Sequence, residues 1–278
     1  MTTVTDVGPA RGELTAQAGY GVTQRRVLHS EWTKLRSLRS TLFSLLAAIV
    51  FVVALGILIS WAQASHWDQE SPIDRLTFDP TNTSLSGVFL AQLAIGVLGV
   101  LMFSGEYGTG MIRATITAVP HRLPVLWAKS IVFAVVTFVL MTVSSFVAFV
   151  GGQAMLSSKH IDTTLGHPGV LTAVFGGGLY LTVVALLGVA LGALVRSTAG
   201  GIATLFGVLL ILPLIVNFLP SSWSHNIDPY LPSSAGQAVF TVVRESSSLG
   251  PWTGLLLFCG YAAVLLAAAA VVLRRRDA

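Results

Sequence analysis

The sequence predicts an all-α integral membrane protein with six transmembrane helices. Of its 278 residues, 54% are apolar and 10% are charged, whereas a soluble domain carries about 25% charged residues. Six stretches contain no Asp, Glu, Lys or Arg, and each is long enough for a helix of about 20 residues to cross the hydrocarbon core. Because the backbone in lipid must satisfy its own hydrogen bonds, we expect each stretch to be a helix. The predicted spans are 42–61, 85–103, 130–156, 170–195, 200–219 and 252–273.

The chain before the first span divides into two parts. Residues 1–21 are polar and lack hydrophobic periodicity, which predicts a disordered cytosolic tail, and 22–278 form the membrane domain. From residue 22 onward, apolar residues recur at steps of three and four, which is typical of an amphipathic helix. That stripe consists of Leu28, Trp32, Leu35, Leu38 and Leu42.

This helix is expected to lie on the cytosolic membrane surface, because basic residues flank the apolar stripe. The alternative is a simple extension of the first span with a basic stop signal. The residues expected at the membrane interface are Trp32, Lys34, Arg36 and Arg39.

The basic residues predict the orientation, since cytosolic loops are enriched in Lys and Arg. With the N-terminus inside, thirteen of the sixteen basic residues lie in cytosolic segments, and the outer segments hold only Arg75, Lys159 and Arg244. Both termini of this multi-pass protein are therefore expected in the cytosol.

The longest cytosolic connection is predicted between the second and third spans, from Ser104 to Lys129. Its glycines and a short apolar run bounded by Pro120 suit a docking segment better than a spanning one. An ordinary solvated connector is the alternative. Glu106 is expected either to cap a short helix here or to pair with a basic residue such as Arg113, and otherwise to be a solvated carboxylate.

The later spans carry packing and loop signals. Gly188 and Gly192 are four residues apart in the fourth span, a spacing that favours close helix packing in lipid. Between the fifth and sixth spans, Pro232 and the following serines predict a short helix over 235–244 that rests on the outer leaflet or dips into it.

Enzyme chemistry is not indicated anywhere in the sequence. There is no G-x-x-x-x-G-K-[ST], H-E-x-x-H, C-x-x-C or G-x-S-x-G motif. The six predicted spans also contain no Asp, Glu, His, Lys or Arg, residues that ion-driven transporters usually keep at membrane depth. We therefore predict no catalytic, metal or cofactor site, and energy for uphill transport would come from another subunit.

Three stretches resemble permease subunits of bacterial ABC transporters of the type-2 exporter class, particularly small actinobacterial ones. They are the basic segment EWTKLRSLRST at 31–41, the connection SGEY at 104–107 with its continuation to Lys129, and LPSSAG at 231–236. The order Gly108-Thr109-Gly110 departs from the expected pattern, which leaves the start of the coupling helix open.

The resemblance implies how such a chain would work. Two permease subunits, identical or different, would form the pathway, and separate P-loop ATPase subunits would dock beneath it. The connection after the second span would include a coupling helix that sits in a groove of the ATPase. The coupling residues it suggests are Glu106, Tyr107, Arg113, Thr115, Pro120 and Arg122.

The sequence therefore predicts a permease subunit for ATP-driven export, with the lipid membrane and an ATPase as partners and no nucleic acid. The alternative function is a membrane anchor or scaffold subunit that transports nothing itself.

Overall fold

The computed structural model describes residues 24–108, 122–243 and 248–275. The described residues are almost entirely helical and contain no strand. Six helices are long and apolar enough to cross a membrane, which confirms the predicted fold class. We number the long helices α1 Gln24–Ser37, α2 Arg39–Gln69, α3 Val88–Gly108, α4 Arg122–Leu156, α5 Val170–Val195, α6 Thr198–Asn217 and α7 Pro251–Arg275.

Helices α2 to α7 correspond to the six predicted spans, but α2, α3 and α4 each extend at least five residues beyond the prediction at one end. Helix α2 continues from the predicted end at residue 61 to Gln69. The predicted second span ends at residue 103, whereas α3 continues to Gly108; the predicted third span begins at residue 130, whereas α4 begins at Arg122. The predicted connection from Ser104 to Lys129 is therefore too long, because both of its ends are helical. The prediction ended the second span before Glu106 and began the third after Lys129, because both residues are charged. In the structure these two side chains form a buried ion pair within the helices.

Helix α5 lies at the centre of the bundle and packs against α3, α4, α6 and α7. A Cβ atom on Gly188 would lie 2.5 Å from the carbonyl oxygen of Gly96, and one on Gly192 would lie 2.5 Å from that of Val100. Only glycine permits α3 and α5 to approach this closely. The packing interpretation of these two glycines is confirmed.

Helix α1 is separate from the first span, because the chain leaves helical geometry at Leu38, which has φ −82° and ψ 110°. The alternative of one continuous helix is therefore wrong. The buried face of α1 consists of Val27, Glu31 and Leu35. Of the predicted stripe, Trp32, Leu38 and Leu42 are exposed, whereas Leu35 is buried.

The segment between α6 and α7 enters the bundle. Its helices are Ser221–Ile227 and Pro232–Gln237, so the helix predicted over 235–244 ends earlier than expected. Gly236 packs against Tyr180 and Phe258, where a Cβ would approach both rings at 2.7 Å. Val239 and Phe240 are also buried, so this segment is an integral part of the core and not a surface helix.

Asp79 connects this segment to the chain before α3. Its Oδ1 accepts hydrogen bonds from the backbone N–H groups of Thr81 and Asn82, which caps the short helix Pro80–Ser84. Its Oδ2 accepts 2.9 Å hydrogen bonds from the N–H groups of Val242 and Val243. One carboxylate thus holds together two connections that are more than 160 residues apart in the chain.

Candidate functional site

Four charged side chains form a cluster at the end of the bundle where α1 lies, which we call the α1 end. The ammonium nitrogen of Lys129 lies 2.9 Å from Oε1 of Glu106 and 2.9 Å from Oε2 of Glu31. The ammonium nitrogen of Lys34 lies 2.8 Å from Oε1 of Glu31 and 3.3 Å from Oε1 of Glu106. We refer to Glu31, Lys34, Glu106 and Lys129 as the ion cluster.

Three members of the ion cluster are deeply buried. Glu31 and Lys129 each expose 2% of their surface and Glu106 exposes 9%, whereas the Lys34 side chain is one-third exposed, at 33%. Removing a charge from water is costly unless an opposite charge is in contact with it. Two carboxylates and two ammonium groups cancel, so the cluster is tolerated at the edge of an apolar core.

The helices bring these residues together from distant parts of the chain. Glu31 and Lys34 are three residues apart on α1, where side chains at this spacing are neighbours. Glu106 lies in the last turn of α3 and Lys129 lies two turns into α4. The ion cluster therefore joins α1 to both helices that flank residues 109–121.

The pKa values of the two α1 residues reflect this pairing. Burial acts to raise the pKa of Glu31, but Lys129 and Lys34 outweigh it and hold the pKa below its ordinary value of 4.5. Burial acts to lower the pKa of Lys34, but bonds to Glu31 and Glu106 raise it above its ordinary value of 10.5.

The pH dependence follows from these directions. The stability that Glu31 contributes is present above pH 4.5 and is lost as the pH falls through its lowered pKa. The stability that Lys34 contributes is present below pH 10.5 and is lost as the pH rises through its raised pKa. Both residues therefore stay charged across the neutral range.

The structure describes three of the six predicted coupling residues, and they have different surroundings. Glu106 is buried and paired with Lys34 and Lys129, so the alternative of a solvated carboxylate is wrong. The ring of Tyr107 packs 6.0 Å from that of Phe103, and the guanidinium of Arg196 lies 5.2 Å from the Tyr107 ring. Arg122 is the first residue of α4. The other predicted coupling residues, Arg113, Thr115 and Pro120, lie outside the described residues.

The predicted membrane-interface residues differ in exposure. Trp32, Arg36 and Arg39 are exposed, as residues at a membrane surface would be. Lys34 instead turns partly inward and binds Glu31 and Glu106.

Sequence reasoning missed two members of the ion cluster as site residues, Glu31 and Lys129. The spacing of Glu31 and Lys34 is a recognisable helix ion pair and could have indicated that these two interact. No local pattern relates Glu31 to Lys129, which is 98 positions further along the chain. Arg196 was likewise not predicted to contact Tyr107.

A family model described as "ABC-2 family transporter protein" matches residues 27–213. The chain belongs to the ABC-2 transporter family. The match covers all four residues of the ion cluster and runs from α1 into α6. Members of this family are membrane transport components and not themselves catalytic, and the family implies an ATPase partner. No curated protein matches the chain.

Proposed function

We propose that this ABC-2 family protein is a permease subunit of an exporter whose ATP hydrolysis takes place in a separate P-loop ATPase. A second permease subunit, identical or different, completes the substrate pathway. The α1 end faces the cytosol of a bacterium, with both termini inside and the protein embedded in the cytoplasmic membrane. The family assignment does not favour the scaffold alternative.

The ion cluster is the observation that carries this proposal. It fixes α1, α3 and α4 to one another beside residues 109–121, which are the proposed coupling segment. Separating buried opposite charges costs several kcal/mol, so these three helix ends move together when a docked ATPase displaces the segment. The residues proposed to transmit the motion are Glu106, Tyr107, Arg113, Thr115, Pro120 and Arg122.

The proposed orientation has a direct test. We expect a reporter fused after Ala278 to show a cytosolic signal and a reporter inserted within 62–84 to show an external one. The reason is the concentration of thirteen basic residues in the proposed cytosolic segments. A cytosolic signal from the second reporter would contradict the proposed topology.

The division of labour between subunits has a biochemical test. The purified chain alone is expected to show no magnesium-dependent ATP turnover, because its sequence has no phosphate-binding loop. With a P-loop ATPase encoded beside it, we expect a stable complex whose ATP hydrolysis drives transport in vesicles. Turnover by the isolated chain, after contaminating ATPases are excluded, would contradict the proposal. A complex that hydrolyses ATP and moves no compound would support a scaffold.

A further inference from the structure

A cavity of about 500 Å³ lies between α1, the first turns of α2 and the second half of α3. One side of the cavity is polar and is lined by the ion cluster and by the hydroxyl-bearing residues Ser37, Ser40 and Ser44. Its other side is apolar and is lined by Leu98, Leu101 and Met102 of α3. A cavity of this size holds a small ligand or part of a larger one.

The two sides are separated along the direction of α3. Leu98 precedes Glu106 by eight residues, which at the rise of an α-helix corresponds to roughly 12 Å. The cavity therefore runs from the charged α1 end towards the interior of the membrane. Two of its lining residues, Leu38 and Leu101, are 51% and 39% exposed, so the cavity opens on the outer surface of the bundle, where we expect it to meet lipid. This geometry suits a molecule with a polar head and an apolar tail.

The charge around the cavity favours a negative head. Within residues 24–50, Glu31 is the single acid, and it is buried and paired with Lys34 and Lys129. The exposed charges on α1 and at the start of α2 are therefore positive, and include Arg36 and Arg39.

Inside the cavity, Lys34 is the charged group most open to a ligand, with a side chain 33% exposed. Its ammonium group has three hydrogens, and among the described residues it makes two bonds, to Glu31 and Glu106. The third hydrogen has no acceptor within that part of the chain, so it can donate to an anion.

We propose that this cavity binds one anionic phospholipid from the adjacent leaflet. Its phosphate lies against Lys34 and the hydroxyl of Ser40, and an acyl chain follows Leu98, Leu101 and Met102. The apolar side selects a lipid over a free phosphate, and the uniformly positive exposed charge selects an anionic over a zwitterionic headgroup. Such a lipid contacts the ion cluster where α1 meets α3.

The test measures which lipids the full chain retains. The protein is reconstituted in vesicles of equal parts phosphatidylglycerol and phosphatidylcholine, extracted in mild detergent and analysed by native mass spectrometry. We expect one retained phosphatidylglycerol, favoured over phosphatidylcholine by at least roughly fivefold, the factor that one cation near an anionic headgroup supplies.

Two variants with the same new side chain separate the cavity from the general lipid surface. Ser44→Phe places a ring in the cavity and is expected to lower phosphatidylglycerol retention at least roughly fivefold. Leu46→Phe changes a neighbouring residue that is 55% exposed and does not line the cavity, so retention should match the wild type. If Ser44→Phe does not fold, Ser44→Met occupies the same space with a more flexible side chain.

Three outcomes would overturn the proposal. The first is equal retention by wild type and by a correctly folded Ser44 variant. The second is equal retention of the two phospholipids, which would mean that the cavity does not discriminate between anionic and zwitterionic headgroups. The third is displacement of the lipid by millimolar inorganic phosphate, which would indicate a simple anion site. None of these outcomes depends on an ATPase partner.

Discussion

Lys129→Met is expected to destabilise the protein by about 3–5 kcal/mol, the cost of breaking a buried ion pair by removing one partner. Methionine fills much of the same volume but leaves Glu31 and Glu106 facing each other without the ammonium group between them. Lys34 remains in contact with both carboxylates, but one cation then serves two anions and is itself one-third exposed. Thermal unfolding of the purified protein in detergent would show the loss as a lower midpoint.

Lys159→Met is the matched control, because Lys159 pairs with Asp68 in an exposed position at the other end of α4. The side chains of this pair are 34% and 73% exposed, and surface ion pairs contribute about 0–1 kcal/mol. The control is expected to unfold close to the wild type. Equal midpoints for the two variants would contradict the structural importance of the ion cluster.

A comparison of Lys129→Met with the single variant Glu106→Gln separates the effect of the ion cluster on stability from its effect on coupling. Gln keeps the shape of Glu106 and removes one negative charge, so Lys129 in that variant still pairs with Glu31. Glu31 is then the single carboxylate for two ammonium groups, but Lys34 is one-third exposed and water can solvate its charge. We therefore expect this change to be tolerated better than the loss of Lys129, which leaves two buried carboxylates together. If the cluster transmits ATPase movement, Glu106→Gln lowers transport-linked ATP hydrolysis more than it lowers the unfolding midpoint.

Most of the membrane architecture was predictable, because lipid imposes simple rules on the sequence. The fourth span was predicted at 170–195, and α5 covers the same residues, since its ends are marked by polar loops on both sides. The glycine pair on α5 was also interpreted correctly, because close helix approach depends on a local spacing of small residues.

The ion cluster was not predictable by the same rules. Treating every charge as the end of a span removed Glu106 and Lys129 from their helices, although a paired charge can remain helical and buried. The apolar stripe of α1 was predicted to lie at the membrane surface, and Glu31 was given no role. Glu31 is nevertheless buried, because its partner Lys129 lies on α4 and Lys34 beside it also contacts Glu106 on α3. Such pairings are tertiary and leave no local signal.

The connection between α6 and α7, at the opposite end of the bundle, also depends on tertiary contacts that the sequence does not reveal. Its proline and serines correctly indicated a helix start at Pro232. Its insertion into the core depends on two glycines whose lack of a side chain permits close packing. Gly236 packs against the ring of Tyr180, and Gly254 packs against the backbone of Ala235. It also depends on Asp79, whose two backbone partners in this segment are more than 160 residues away.

Asp79→Ala is expected to release the segment that contains Val239 from the core. The aspartate accepts hydrogen bonds from four backbone N–H groups, two in each connection. Hydrogen bonds to a charged group contribute about 1.5–3 kcal/mol each but do not add fully, so we expect a loss on the order of 3 kcal/mol. Asp79→Asn should be intermediate, because its single carbonyl oxygen can serve one pair of N–H groups but not both.

Thiol labelling measures this release directly. In a Cys259→Ser background, which removes the single native thiol, a Val239→Cys probe sits at a site that is 1% exposed. A maleimide should react with it slowly while Asp79 is present and at least roughly tenfold faster with Asp79→Ala, since a loss of 1.4 kcal/mol already raises an open population tenfold. Asp74→Ala is the control, because Asp74 lies in the exposed short helix Pro72–Leu76, accepts a hydrogen bond from the Ser71 hydroxyl and has no described contact with this segment. Unchanged labelling with Asp79→Ala would mean that the packing of Gly236 and Phe240 holds the segment without the carboxylate.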